Sequence, residues 1–428
     1  MSGSILPANA TKREDEMTLK QFLQRSYTAY HAVENAGKML EEAGFRKVTA
    51  EELPALHAGD KGYAVWGGTT LVAFKVGEDA QVTLAESHTD SPALKVKTAA
   101  TVPSKEGYRI NVEKYGGGLL YSMLDVPLRV AGRVVVETAT GVEAKLVVSK
   151  QTVVIPSLCI HHNPDHNDLS LNVQTDMLPL VGDVENMYDW VAEGEKVLDA
   201  DLYVVADVEP FASGAKGEYL SSPRLDNLTS VYASVRALIE AEPKGISVAA
   251  AFDNEEIGSG TKRGAASAYL KAFVEKIVEA AGHKNAQKAM TDGLALSIDN
   301  GHAVHPAHPE KSDVVDGPVL GGGVVVKHHV NYATDGLSAG MFKRIMDMSG
   351  IPYQDYYNRS DIPCGSTLGN ISARNLLMDT VDVGIAQLAM HSAVETACEK
   401  DVDTMEKAVK AVFNARLRRE GNEVKIEL

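Results

Sequence analysis

Residues 246–259 read ISVAAAFDNEEIGS. Val248 to Phe252 is a short apolar run without proline, and a strand buried on both faces reads as a near-continuous run of this kind. Directly after it come Asp253, Asn254, Glu255, Glu256 and Gly258. In open α/β sheets, ligands sit outside the carboxyl ends of such strands. Two adjacent carboxylates are thus delivered to the usual address of an active site. On an extended segment, neighbouring side chains point to opposite faces, so one carboxylate can hold a metal while the other works on a water. Taken alone, the same residues also read as a charged turn. The rest of the chain decides between the two readings.

The 428 residues exceed one ordinary core, which points to two domains or one large domain with an insertion. No run of about 18 apolar residues suggests a membrane span, and residues 1–17 lack the apolar core of a signal peptide. The net charge of −16 argues against nucleic acid or an anionic membrane as the main partner. Cys159, Cys364 and Cys398 are far apart and odd in number, so neither a thiolate zinc site nor a disulfide framework is expected. A reducing cytoplasm fits that usage.

In chain order, residues 19–43 have apolar spacing that predicts one helix, closed by Gly44. Leu71 to Val76 and Val82 to Ala85 predict strands, the second running into Glu86-Ser87-His88-Thr89-Asp90. His88 and Asp90 share a face if extended, which suits a ligating imidazole held by a carboxylate. From about Pro92 to Ser221, short β-like runs without helical periods predict an all-β insertion. Gly116-Gly117-Gly118 lies within it and reads as a flexible turn, because a phosphate loop needs a strand–turn–helix setting. His161, His162 and His166 read as loop histidines.

Asp226 stands at the start of a helix running to about Ile239, where a cap is an equal reading. Further helices are predicted over 265–281, 335–346, 382–399 and 401–419, and strands over 294–298 and 324–327. This places His391 within a long helix. His302, His305 and His308 are spaced by three, but Pro306 and Pro309 break any helix there, so a loop is expected. His88, Asp226, Glu256, Asp299 and His391 together form a nitrogen and oxygen ligand set without thiolate. Two zinc ions sharing a carboxylate need such a set. Glu255 is then free to take a proton from water.

Six stretches carry a resemblance. SHTDSPALKVK (87–97), SPRLDNLTS (222–230), FDNEEIGS (252–259), SIDNGHAVHPAHPEK (297–311), DIPCGSTLG (361–369) and QLAMHS (387–392) are similar, in order and over nearly the whole chain, to the aspartyl aminopeptidase family of dinuclear zinc peptidases. IPSLCIHH (155–162) joins them. The resemblance implies an α/β fold: a three-layer α/β/α catalytic domain of residues 1–93 and 222–428, interrupted by a β-rich dimerisation domain of residues 94–221. It implies that Asp226 bridges two metals, with Glu256 and His391 on one and His88 and Asp299 on the other. Asp90 orients His88, and Glu255 is the general base. His161 reaches a neighbouring subunit's site within a homododecamer built from dimers. Lys327 matches a residue that binds an acidic substrate side chain. The expected activity is removal of an N-terminal residue, Asp or Glu or a neutral one such as Leu, from peptides. Cobalt or manganese can stand in for zinc in such a ligand set. A dinuclear zinc deacylase or carboxypeptidase, and a noncatalytic shell for cargo, are the rival readings.

Overall fold

The computed structural model describes residues 16–163 and 169–428. His166 lies outside the described residues, as do residues 1–15. The early strands are β1 (Arg46–Lys47), β2 (Lys61–Trp66), β3 (Thr70–Val76) and β4 (Val82–His88). There follow β5 (Ala93–Ser104), β6 (Gly107–Tyr115), β7 (Leu128–Glu137), β8 (Val142–Val148), β9 (Leu180–Gly182) and β10 (Val197–Ala206). Then come β11 (Phe211–Ser213), β12 (Tyr219–Ser222), β13 (Ile246–Phe252), β14 (Leu294–Ile298), β15 (Gly301–His302), β16 (Val324–His328) and β17 (Tyr353–Tyr357). The last used below are β18 (Thr380–Gly384), β19 (Ala386–Leu388), β20 (Glu395–Ala397) and β21 (Arg416–Glu420).

The largest sheet has the order β1-β2-β3-β13-β4-β14-β18-β16-β17. Its centre, β13-β4-β14-β18, is parallel. Every residue of β3, β4, β13, β14 and β18 is buried. One face carries α1 (Leu19–Arg25), α2 (Ala29–Glu42), α4 (Leu225–Glu240), α7 (Gly336–Ser349) and α9 (Glu399–Asn414). The other carries α5 (Tyr269–Ala280), α6 (Ala286–Thr291) and α8 (Gly369–Leu376). This is a three-layer α/β/α arrangement, and it explains the apolar runs, since each central strand is covered twice.

Strands β5 to β10 form a second sheet, ordered β8-β7-β10-β5-β6-β9, and α3 (Met187–Ala192) packs into its core, so the insertion is β-rich rather than all-β. A third, small sheet has the order β11-β12-β20-β19-β15. It ties together segments that flank Asp226, His391 and Asp299 in the chain.

Four further expectations need correction. Residues 19–43 form two helices, parted at Ser26 to Thr28. Thr28 is the N-cap of α2, and Ser26 accepts a hydrogen bond from the Asn35 amide at 3.1 Å; such residues compete with helical backbone bonding. Glu255 and Glu256 do not lie on an extended segment but in a 3-10 turn, Glu255–Ile257. Residues 382–399 are not a helix. They contain β18, β19, a turn with His391 and β20. Gly384 shows why: a Cβ there would lie 2.0 Å from the Asp299 carbonyl oxygen, an approach that only glycine allows. Finally, α9 stops at Asn414 and residues 416–420 form a strand.

Candidate metal centre

The parallel strands end together. His88 closes β4 and pairs in register with Phe252, the last residue of β13. Beyond Phe252 the chain turns through Asn254, at φ 64°, into a short 3-10 turn holding Glu255 and Glu256. Asp299 follows β14. Asp226 enters at the start of α4 with non-helical φ −82° and ψ 109°, so its side chain leaves the helix surface. His391 sits at φ 66° in the turn between β19 and β20.

The two oxygens of Asp226 face two different partners. Oδ1 lies 3.3 Å from His88 Nε2, which is itself 3.5 Å from Asp299 Oδ1. Oδ2 lies 3.5 Å from His391 Nε2, which is 3.4 Å from Glu256 Oε1. Tetrahedral zinc with bonds of about 2.0–2.2 Å separates its ligands by roughly 3.3–3.5 Å. Asp226 Oδ1 and Glu256 Oε1 are buried and have no hydrogen-bond partner. Buried acceptors in that state are costly, and a cation among them removes the cost. Three triads have zinc-type spacing: His88–Asp226–Asp299 and Asp226–Glu256–His391, which share Asp226, and His88–Glu255–Glu256.

The electrostatics agree. Five carboxylates, of Asp90, Asp226, Glu255, Glu256 and Asp299, crowd two imidazoles and the Lys327 ammonium. Burial, reinforced by its acidic neighbours, pushes Glu255 up to about 7 and Glu256 well above the usual carboxylate range. Burial opposes charge on His391, but Asp226 and Glu256 outweigh it and lift the imidazole to about 10. His88 is likewise raised well above its usual value against burial, by Asp226, Asp299 and Asp90. Asp226 is lowered despite burial, because His391 and His88 face it. A site this rich in negative charge calls for added positive charge.

Asp90 does more than the spacing implied. Its backbone carbonyl lies 3.1 Å from His88 Nδ1, and its Oδ1 lies 3.5 Å from the same nitrogen. The carboxylate accepts from the Glu255 N–H at 3.1 Å, the Glu256 N–H at 3.2 Å and the Tyr115 hydroxyl at 2.7 Å. Asp90 thus pins the glutamate turn as well as the imidazole. Asp253 pairs with Arg263 at 3.1 Å, and the Asn254 amide donates to Tyr115 at 3.0 Å, so both brace that turn.

The cluster opens into a cleft of about 320 Å³. Lys327 lines it, 2 % exposed, with its Nζ 3.3 Å from Asp299 Oδ2. His302 lines it too, while His305 and His308 lie exposed outside, their rings 5.4 Å apart. His161 sits in an exposed 3-10 turn, Ile160–His162, and does not line this cleft. Several contributors escaped the sequence reading. Gly116 to Gly118 lie against the cluster: a Cβ on Gly116 would meet Glu256 Cβ at 3.0 Å, and one on Gly117 would meet His391 Nδ1 at 3.4 Å. Tyr115 and Glu395 were also missed. Nothing in HSAVETA marks Glu395, whereas three consecutive glycines after a strand were a visible signal of close backbone approach.

A sequence model of the aminopeptidase I zinc metalloprotease (M18) family matches residues 22–413. A probable M18 family aminopeptidase 2 of Clostridium acetobutylicum is 34 % identical over 431 residues, covering 94 % of this chain and 100 % of that protein. A chain in the cryo-EM structure of the Ape4 and Nbr1 complex superimposes with a TM-score of 0.87 at 28 % identity, over 92 % of this chain and 84 % of that one. The S. cerevisiae mApe1 dodecamer matches at a TM-score of 0.79 and 24 % identity, over 92 % of this chain and 95 % of that one.

Proposed function

Because this chain belongs to the aminopeptidase I zinc metalloprotease (M18) family and is a metal-dependent aminopeptidase, we propose that its catalytic centre is the cluster around Asp226, loaded with two zinc ions. Asp226 is the shared ligand. His88 and Asp299 complete one site, and Glu256 and His391 complete the other. The observation that carries this reading is the pair of Asp226 oxygens, each facing its own imidazole and carboxylate. Cobalt or manganese can replace zinc in a set of nitrogen and oxygen donors.

Bound zinc supplies Lewis acidity, polarising the scissile carbonyl and acidifying water. The protein supplies the proton transfers. Glu255, lining the cleft beside the ligand set, takes a proton from the attacking water and returns it to the leaving amine. Asp90 holds the Glu255 backbone and the His88 ring, so base and ligand keep their separation. The metal-site carboxylates offer an anionic rim to the free amine of the substrate. Lys327, buried in the cleft, offers its ammonium to an acidic side chain, which favours an N-terminal Asp or Glu over Leu.

The chain works as a homo-oligomer, a dodecamer assembled from dimers, with the catalytic domain formed by residues 1–93 and 222–428 and the dimer contact made by residues 94–221. Support comes from the exposed apolar stripe of Val142 and Leu146 on the edge strand β8, since an uncovered edge of this kind invites pairing. His161, exposed on its turn, serves a neighbour's cleft. Among the described residues no helix is long and apolar enough to cross a membrane, and Cys159, Cys364 and Cys398 are free, which supports a reducing cytoplasm.

The test combines metal removal with two substrates, Asp-p-nitroanilide and Leu-p-nitroanilide. Chelation abolishes hydrolysis and zinc restores it. Glu255→Gln keeps its zinc but loses about 10²–10⁴-fold in kcat. Near wild-type turnover by that variant places the base elsewhere. Lys327→Met lowers kcat/KM for the Asp substrate about tenfold or more relative to Leu, as loss of a buried ion pair to the substrate requires. Hydrolysis restricted to N-acyl amino acids would instead select the deacylase, a reading that no observation favours.

A further inference from the structure

Glu395 is the first residue of β20 and is 2 % exposed. In the small sheet, β20 lies between β12 and β19. Strand β12 leads through Pro223 and Arg224 to Asp226, and its Ser222 is the register partner of Glu395. Strand β19 leads to His391, and its Leu388 is the register partner of Thr396. The topology therefore puts the Glu395 carboxylate between the two segments that carry Asp226 and His391.

Each carboxylate oxygen takes one of those backbones. Oε2 accepts from the Asp226 N–H at 2.9 Å, and Oε1 accepts from the His391 N–H at 2.6 Å. Both carboxyl oxygens are thus committed to main-chain N–H groups of the two segments. Both residues lie where regular structure does not hold the chain: Asp226 departs from helical angles inside α4, and His391 occupies the left-handed region. Their side chains meet at 3.5 Å, His391 Nε2 to Asp226 Oδ2.

We propose that Glu395 is a positioning residue for the metal site made by Asp226, Glu256 and His391: one carboxylate fixes the spacing of two ligands by gripping both of their backbones. The inference rests on the ligand assignment given above. It complements Asp90, which grips the N–H groups of Glu255 and Glu256. All three members of this triad are thereby held through their main chains by buried carboxylates. The chemistry is specific. A carboxylate is acceptor-only, with two oxygens for two N–H donors. Glutamine has the same shape but turns an NH₂ group toward one N–H, a donor against a donor. Aspartate keeps two acceptors and shortens the reach.

The test measures zinc affinity in competition with a chromogenic chelator, with metal content by atomic emission, on the full-length chain. Glu395→Gln weakens the site made by Asp226, Glu256 and His391 about 10–100-fold, the range for residues that orient metal ligands, weakens the site that shares only Asp226 by less, and leaves the far-UV dichroism unchanged. Glu395→Asp falls between Gln and wild type. Two wild-type zinc affinities in Glu395→Gln overturn the proposal, as does equal weakening of both sites. If Glu395→Gln does not fold, Glu395→Asp decides alone: a selective loss at one site supports the grip, and wild-type affinity at both overturns it. Asp226→Ala separates the two readings. Retention of both zincs there sinks the ligand assignment itself, whereas loss of zinc there with intact binding in Glu395→Gln sinks only the role of Glu395.

Discussion

The nine-stranded sheet and the six-stranded sheet are built from similar short β-runs, yet they carry different duties. In the first, the central strands are buried on both faces, and their parallel carboxyl ends converge on the cluster of His88, Glu256 and Asp299. In the second, one face packs throughout, while the other is covered around Ala131 and Val205 but exposes Val142 and Leu146 on the edge strand β8. A doubly covered parallel sheet leaves its strand ends as the place where polar groups gather. An antiparallel sheet with one face covered only in part has surface to spare. The second sheet still reaches the site at one corner, where β6 ends in Tyr115 and the three glycines close over Glu256 and His391.

The sharpest way to break that contrast is to remove a core side chain from the nine-stranded sheet. Leu84 lies in β4, two turns of the pleat before His88, and is 0 % exposed. Leu84→Ala removes a buried side chain with packing on all sides and destabilises the chain by about 3 kcal/mol, read as a shift in the denaturant midpoint. A shift below about 1 kcal/mol would mean that this strand is not the tightly packed support of the site.

The contrast also governs what the sequence disclosed. The runs at Val82, Val248 and Leu294 were readable because burial on two faces leaves no alternation to confuse. The ligand-type residues His88, Glu256 and Asp299 were visible because they follow those runs directly. His391 was misplaced in a helix, since VDVGIAQLAM has apolar spacing compatible with either period and only the contact of Gly384 with the Asp299 carbonyl decides for strands. Glu395 was invisible because its work is done through other residues' backbones, and a hydrogen bond to an N–H leaves no trace in the donor's residue type. The break at Ser26 to Thr28 was concealed by apolar periodicity that continues across it.

Between the sheets lies α2, and a smaller effect tests that seam. Tyr30 donates to Asp201 of β10 at 2.8 Å, and Arg133 of β7 holds the same carboxylate at 2.6 Å. The next residue, His31, is buried with its Nδ1 2.9 Å from Thr28 Oγ1. Burial lowers its pKa to about 4, helped by Arg224 and Lys38 and opposed by Glu34. The unfolded chain binds this proton near pH 6.5, the folded one only near 4. Stability is therefore full above about pH 6.5 and declines as pH falls toward 4, by about 1 kcal/mol at pH 5.5. His31→Gln removes that part of the decline between pH 7.5 and 5.5, measured by thermal unfolding of matched samples. An unchanged pH profile in the variant means that the histidine titrates alike in both states and the seam is open to water.

The smallest effect on the chain itself is expected at the far edge of the second sheet. Leu146 is 38 % exposed on β8, opposite Arg133 in register. Leu146→Lys removes no packed side chain and places a charge on a strand edge, a device that blocks edge pairing. Backbone dichroism and the denaturant midpoint under dissociating dilution shift by less than about 0.5 kcal/mol. Sedimentation velocity, by contrast, shifts toward smaller species if the spare apolar face is, as proposed above, the surface offered to another copy. Wild-type assembly in Leu146→Lys would leave β8 without that duty, and the contact between copies would have to be sought on another surface. A large loss of stability would break the comparison from the other side, since it would show the second sheet to be covered within a single chain.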